Sequence, residues 1–146
     1  MTEWYSEYLE KVGTTDIIKH RVDELYQIYR GLCPDDITGI VITDFITEEG
    51  LREYESLWFF SESCAMEAKL FITEDRFDMT PLKNAVTYWE VKKQDYELGR
   101  AGDRSRLHLE FGLAHRTTGS LKASRENCDQ LWQVFTTYFL PNMQLN

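Results

Sequence analysis

The chain is poor in the residues that staple a fold, break it up or charge it toward a polyanion. Its 146 residues include 3 Cys, 3 Pro, and 16 Lys or Arg against 25 Asp or Glu, for a net charge of −9. Cys33, Cys64 and Cys128 are odd in number, far apart and contain no C-x-x-C pair, so neither a disulfide framework nor a zinc site is expected. The shortage of basic residues disfavours nucleic acid, whose affinity rests on clustered Lys and Arg neutralising phosphates. For the same reason a membrane surface is an unfavourable partner. The strongest apolar run is Leu57-Trp58-Phe59-Phe60, far short of the ~20 residues needed to span a bilayer. The first ten residues carry Glu3, Glu7 and Glu10 where a secretory signal would be basic and then apolar. A soluble, cytoplasmic protein is the expectation.

Core-forming residues, in contrast, are plentiful: 42% of the chain is hydrophobic and 14% aromatic. That suits a globular domain in the usual range of roughly 100–200 residues. Trp4 to Val12 is spaced as a short helix, stopped by Gly13. Thr15 then offers an N-cap, and Ile18, Val22, Leu25, Tyr29 and Leu32 form a stripe that ends at Gly31 and Pro34. From Ile37 the period changes. Ile37–Ile46, 54–61, 65–73, 76–79 and 85–93 read as strands, with turns at Glu48-Glu49-Gly50 and Glu74-Asp75. Leu107, Leu109, Phe111 and Leu113 alternate with His108 and Glu110, and Thr117-Thr118-Gly119 reads as a hairpin turn into a strand over 120–123. Ser124 reads as the cap of a last helix, whose Cys128, Leu131, Trp132, Phe135, Tyr138 and Phe139 lie on one face. The fold class expected is α+β: helices first, then six to seven antiparallel strands, then a C-terminal helix.

Two stretches carry a resemblance. Ala68-Lys-Leu-Phe-Ile-Thr73-Glu-Asp-Arg76-Phe, followed by Pro81-Leu82, is similar to the Thr-x-x-Arg hairpin of GRAM-type members of the pleckstrin-homology-like family. Ala123-Ser124 through Trp132 resembles that family's last strand entering its capping helix, with an inward tryptophan nine residues after the alanine. The resemblance implies a bent, PH-like β-sandwich or barrel over residues 37–146, capped by the C-terminal helix. Residues 1–36 then form an added helical extension packed on that domain. Phosphoinositide-binding members have a basic cluster around the first two strands. Here residues 43–55 hold five acids and Arg52 alone as a base, so that site is not expected to carry over.

No catalytic constellation stands out. His20, His108 and His115 lie near no nucleophile elbow, and His108 with Glu110 reads as an exposed pair on one strand face. Cys33 precedes Pro34 at a helix end with no base in sight, and Cys128 reads as a buried thiol. Asp35-Asp36, Glu48-Glu49 and Glu74-Asp75 fall in turns, where solvated acids are ordinary, and no loop has calcium-ligand spacing. No cofactor, metal or catalytic residue is expected. The aromatic residues give the stronger hint. Tyr54 to Phe60 is apolar on both faces, which means either a strand buried on both sides or a partner-binding patch of Tyr54, Trp58 and Phe60, with Trp89 on a later strand. Charge is uneven as well: residues 44–78 have ten acids and three bases, while 79–125 have nine bases and five acids. The function expected is a non-enzymatic module binding a protein partner. The alternative is a lipid or small anionic ligand held by Lys92, Lys93, Arg100, Arg104 and Arg106.

Overall fold

Thr15 begins the first long element as its sequence suggests: its hydroxyl accepts a hydrogen bond from the Ile18 N–H at 3.3 Å. In the computed structural model, which describes residues 3–94, 105–114 and 116–144, helices α1 (Ser6–Lys11) and α2 (Asp16–Leu32) meet at Gly13, whose φ is +72°. Such a backbone favours glycine, so the helix stop is a conformational requirement. Seven strands follow: β1 (Ile37–Ile46), β2 (Arg52–Ser61), β3 (Cys64–Lys69), β4 (Phe77–Pro81), β5 (Val86–Gln94), β6 (Arg106–Leu113) and β7 (Arg116–Ser124). Helix α3 (Asn127–Val134) continues through a π-turn at Phe135–Phe139 and a 3-10 turn at Leu140–Asn142.

The strands form two antiparallel sheets, β1-β2-β3-β4 and β5-β6-β7, in an α+β arrangement. Among the described residues they do not close into a barrel. Irregular register between Ile37 and Gly39, Ile42 and Asp44, Val86 and Tyr88, and Phe111 and Leu113 kinks the strands where a flat ladder would not pack.

The alternation of β2 places two cores. Leu57 and Phe59 face Tyr5, Leu9, Val22, Leu25, Tyr26 and Tyr29 of the helices, joined by Ile40, Ile42, Met66 and Phe71. Trp58 and Phe60 face the other way, into Leu107, Leu109, Phe111, Leu121, Leu131, Phe135, Tyr138 and Phe139. The first sheet is therefore covered on both sides, which is why β2 reads as an unbroken apolar run. Several boundaries shift from the sequence reading. The third strand stops at Lys69, because Leu70 takes a positive φ of 49° and turns the chain. The strand expected over 76–79 runs to Pro81 as an edge strand, where a missing N–H is tolerated. Thr117–Gly119 lies within β7, so the hairpin turn comes earlier. Gly119 is there because the Phe111 ring lies across it: a Cβ would sit 2.4 Å from that ring.

Candidate functional site

Three places in the fold gather chemistry: a buried polar junction, a thiol cluster, and the cleft and groove bordering the three-stranded sheet. The junction is centred on Asp44, which is 0% exposed. Its Oδ1 accepts from the Ser124 N–H at 3.1 Å and the Asn127 side chain at 2.6 Å, and its Oδ2 accepts from the Ser124 hydroxyl. Arg52 Nε lies 3.2 Å from Oδ2, at ion-pair distance but without hydrogen-bond alignment. The rest of the guanidinium donates to Glu126 at 2.6 Å, the Val12 carbonyl at 2.9 Å and the Ser124 carbonyl at 3.0 Å. Burial alone would raise the Glu126 carboxyl, but the hydrogen bond and charge of Arg52 outweigh it and hold the pKa below its ordinary value. Tyr8 extends the network: it donates to Asn127 Oδ1 at 2.7 Å and accepts from the Ile42 N–H at 2.9 Å. Burial pushes its phenol pKa well up. The junction thus joins α1, β1, β2, β7 and α3, with Arg52 Nε held by charge alone. Ser124 spends its hydroxyl here instead of capping α3, whose N-cap residue is Glu126. An acid inside an otherwise apolar strand, with an arginine opening the next, was the available sign of it.

Cys33 and Cys64 are 31 residues apart in sequence, yet their sulfurs are 3.6 Å apart. Cys33 Sγ also donates to Asp35 Oδ1 at 3.4 Å. Asp35 is not a freely solvated turn acid: it accepts from the Ser63 hydroxyl at 2.8 Å and the Ser63 N–H at 3.1 Å. Its burial works to raise its pKa, but hydrogen bonds from Ser61, Ser63 and Cys33 bring the value below normal. Desolvation pushes the Cys33 thiol up. Spacing in sequence had no power to reveal this pair, because the fold alone brings the end of α2 to the start of β3.

The expected partner-binding aromatics do not share a surface. Trp58 and Phe60 are buried in the core and so are withdrawn from any patch; the two-sided burial of β2 is the reason. Tyr54 is half-buried, with its hydroxyl donating to the Val12 carbonyl at 2.6 Å. Trp89 remains 41% exposed, and Trp132, implied to be inward by the resemblance, is 46% exposed. Cys128, Leu131, Val134, Phe135, Tyr138 and Phe139 face inward, and Trp132 sits on the shoulder of that stripe. Trp89 and Trp132 flank Phe135 with ring centroids 5.2 and 5.5 Å away, forming one aromatic row. Beside the row, Lys93, Leu107, Cys128, Asp129 and Trp132 line a groove of about 420 Å³.

Of the expected basic residues, Lys92, Lys93 and Arg106 line a cleft of about 640 Å³ with Lys122, His108 and Phe45. Strand register puts Lys92, His108 and Lys122 side by side across the sheet. Arg100 and Arg104 lie outside the described residues. His108 Nε2 is 2.8 Å from Ser120 Oγ and 3.8 Å from Glu110 Oε1. A serine–histidine–acid relay needs its two partners on different ring nitrogens, and here one nitrogen faces both.

No protein-family model matches the chain, and no curated protein or solved structure matches it either. No helix among the described residues is long and apolar enough to cross a membrane.

Proposed function

We propose that the chain is a non-enzymatic interaction module built on a PH-like scaffold, and that it binds an extended segment of a protein partner between β5 and α3. The observation carrying this reading is the pair of half-exposed tryptophans, Trp89 and Trp132, packed on the buried Phe135 at β5, an edge strand of its sheet. Half-exposed tryptophans backed by a buried aromatic supply large contact area at small entropic cost. A strand edge supplies backbone hydrogen bonds to a peptide laid alongside it. Among the described residues β5 has one outer bridge, Val86 to Met143, at one end. The succession of four strands, three strands and a terminal helix supports the PH-like scaffold.

The test compares partners captured from native lysate by the wild type and by Trp89→Ala/Trp132→Ala. Proteins enriched by the wild type and lost by a folded double variant support the reading; identical capture by both overturns it. A second reading, an anionic ligand in the Lys92–Lys93–Arg106–Lys122 cleft, rests on that convergence of cations. Flotation with phosphatidylserine vesicles at low and high salt tests it, and binding must fall in Lys92→Glu/Lys122→Glu.

A further inference from the structure

We infer that Cys33, Cys64 and Asp35 form a binding site for one thiophilic divalent cation of the zinc class. Their three ligand atoms lie within 4.8 Å of one another. A tetrahedral ion with metal–sulfur bonds of about 2.3 Å and metal–oxygen bonds of about 2.0–2.2 Å holds two sulfurs about 3.8 Å apart, and sulfur and oxygen about 3.5 Å apart. Two of the observed separations, 3.6 Å between the sulfurs and 3.4 Å from Cys33 Sγ to Asp35 Oδ1, are close to these values, and the third, Cys64 Sγ to the carboxylate, is within 4.8 Å. A disulfide, with sulfurs about 2.05 Å apart, would instead require the pair to close by about 1.5 Å. Both cysteines are free thiols.

The surroundings are arranged as the outer shell of a metal centre would be. Ser63 holds the Asp35 carboxylate through its hydroxyl at 2.8 Å and its N–H at 3.1 Å. The buried Ser61 hydroxyl lies 3.3 Å from Cys64 Sγ and accepts from the Cys64 N–H at 3.0 Å. Such contacts fix ligand orientation and usually set much of the affinity. Two rigid anchors converge here. Cys33 is the C-cap of α2, with its N–H donating to the Tyr29 carbonyl at 2.8 Å, and Cys64 opens β3. Cys64 is only 7% exposed while Cys33 is half-buried, so an ion enters from the Cys33 side and keeps its fourth position for water. Two thiolates and one carboxylate select a borderline-soft ion over magnesium or calcium, which require mostly oxygen ligands. Binding balances as one divalent ion entering and the two thiol protons leaving, the carboxylate being already ionised.

The test uses the full chain, reduced with a phosphine, freed of metal by chelation and titrated with Co²⁺ and then Zn²⁺. The expected result is a thiolate-to-cobalt charge-transfer band in the near ultraviolet that saturates at one ion per chain and is bleached by an equal amount of zinc. Native mass spectrometry should find one zinc per chain. Cys33→Ser and Cys64→Ser should each weaken binding at least about 100-fold, Asp35→Asn about 10–100-fold, and Cys128→Ser should leave it unchanged. Cys33 and Asp35 are partly exposed, so their variants keep the test open should Cys64→Ser fail to fold, and far-ultraviolet circular dichroism checks each one. No charge-transfer band and no retained zinc in a folded protein with three titratable thiols overturns the assignment. So does undiminished binding in Cys33→Ser, or recovery of the pair from cells as a Cys33–Cys64 disulfide.

Discussion

Arg52 joins two acids and two backbone carbonyls at one place. It faces a fully buried Asp44 and a partly buried Glu126, and it ties Val12 and Ser124 by their carbonyls. Removing one member of a buried ion pair leaves the other charge without compensation, at a cost of about 3–5 kcal/mol. Arg52→Ala should lose that much in urea denaturation, and a loss below 1 kcal/mol would show that Asp44's other donors suffice. The partner acid gives a pH dependence. Glu126 has a folded-state pKa below its ordinary value of 4.5, so its contribution is complete above that pH. It disappears as pH falls through the lower, folded value. Glu126→Gln should therefore flatten the acid limb of a stability-against-pH curve below about pH 4.5 while changing its slope little near neutrality. None of this junction could be placed from sequence alone. The acids at 43–55 were visible as a concentration of charge, but charge counts do not say that Asp44 points inward and Glu53 outward. That depends on register, and the irregularity between Ile42 and Asp44 sets the register there.

At the scale of elements, periodicity was a good guide and turn chemistry a partial one. The α2 stripe from Ile18 to Tyr29, the Thr15 cap and the alternation of β6 follow from side-chain spacing, because 3.6 and 2 residues per repeat are properties of the backbone, while Leu32, expected on the stripe, is 51% exposed at the helix end. The two-sided burial of β2 was legible as an apolar run, but choosing core over patch required the helices to be seen on it. Trp132 was misplaced as inward because a broad aromatic stripe has a shoulder, and spacing does not say which residue occupies it. Close approach between elements was not visible at all. Gly39 on β1 lies under the ring of Tyr138, whose hydroxyl shares a 2.8 Å hydrogen bond with Thr38. A Cβ at Gly39 would be 2.4 Å from that ring. Gly39→Ala should thus cost about 1–3 kcal/mol by overpacking. In a Tyr138→Ala background the same substitution should cost almost nothing extra, and a double-mutant cycle in denaturant measures the coupling. Equal costs in both backgrounds would place the strain elsewhere.

For the whole molecule the decisive arrangement is one sheet shared between two cores. Leu57 and Phe59 belong to the helical side, while Trp58 and Phe60, their immediate neighbours, belong to the sandwich side. Any motion of β2 therefore disturbs both, and the Arg52 junction links the same two sides through Val12 and Ser124. The sequence reading has residues 1–36 as a helical extension packed on the domain over 37–146. The shared strand predicts that the helices and the sandwich unfold together. Leu25 is fully buried among the helical-side residues and lies far along the chain from the sandwich core. Leu25→Ala should remove about 2–5 kcal/mol. Because Trp58 sits in the opposite core, its fluorescence, isolated by Trp4→Phe, Trp89→Phe and Trp132→Phe, should report the same shifted midpoint as the helical circular dichroism signal. Coincident transitions are the mark of a single cooperative unit. If Leu25→Ala lowered the helical transition and left the Trp58 transition in place, the helices would be an appendage, and β2 would be stable with one face bare.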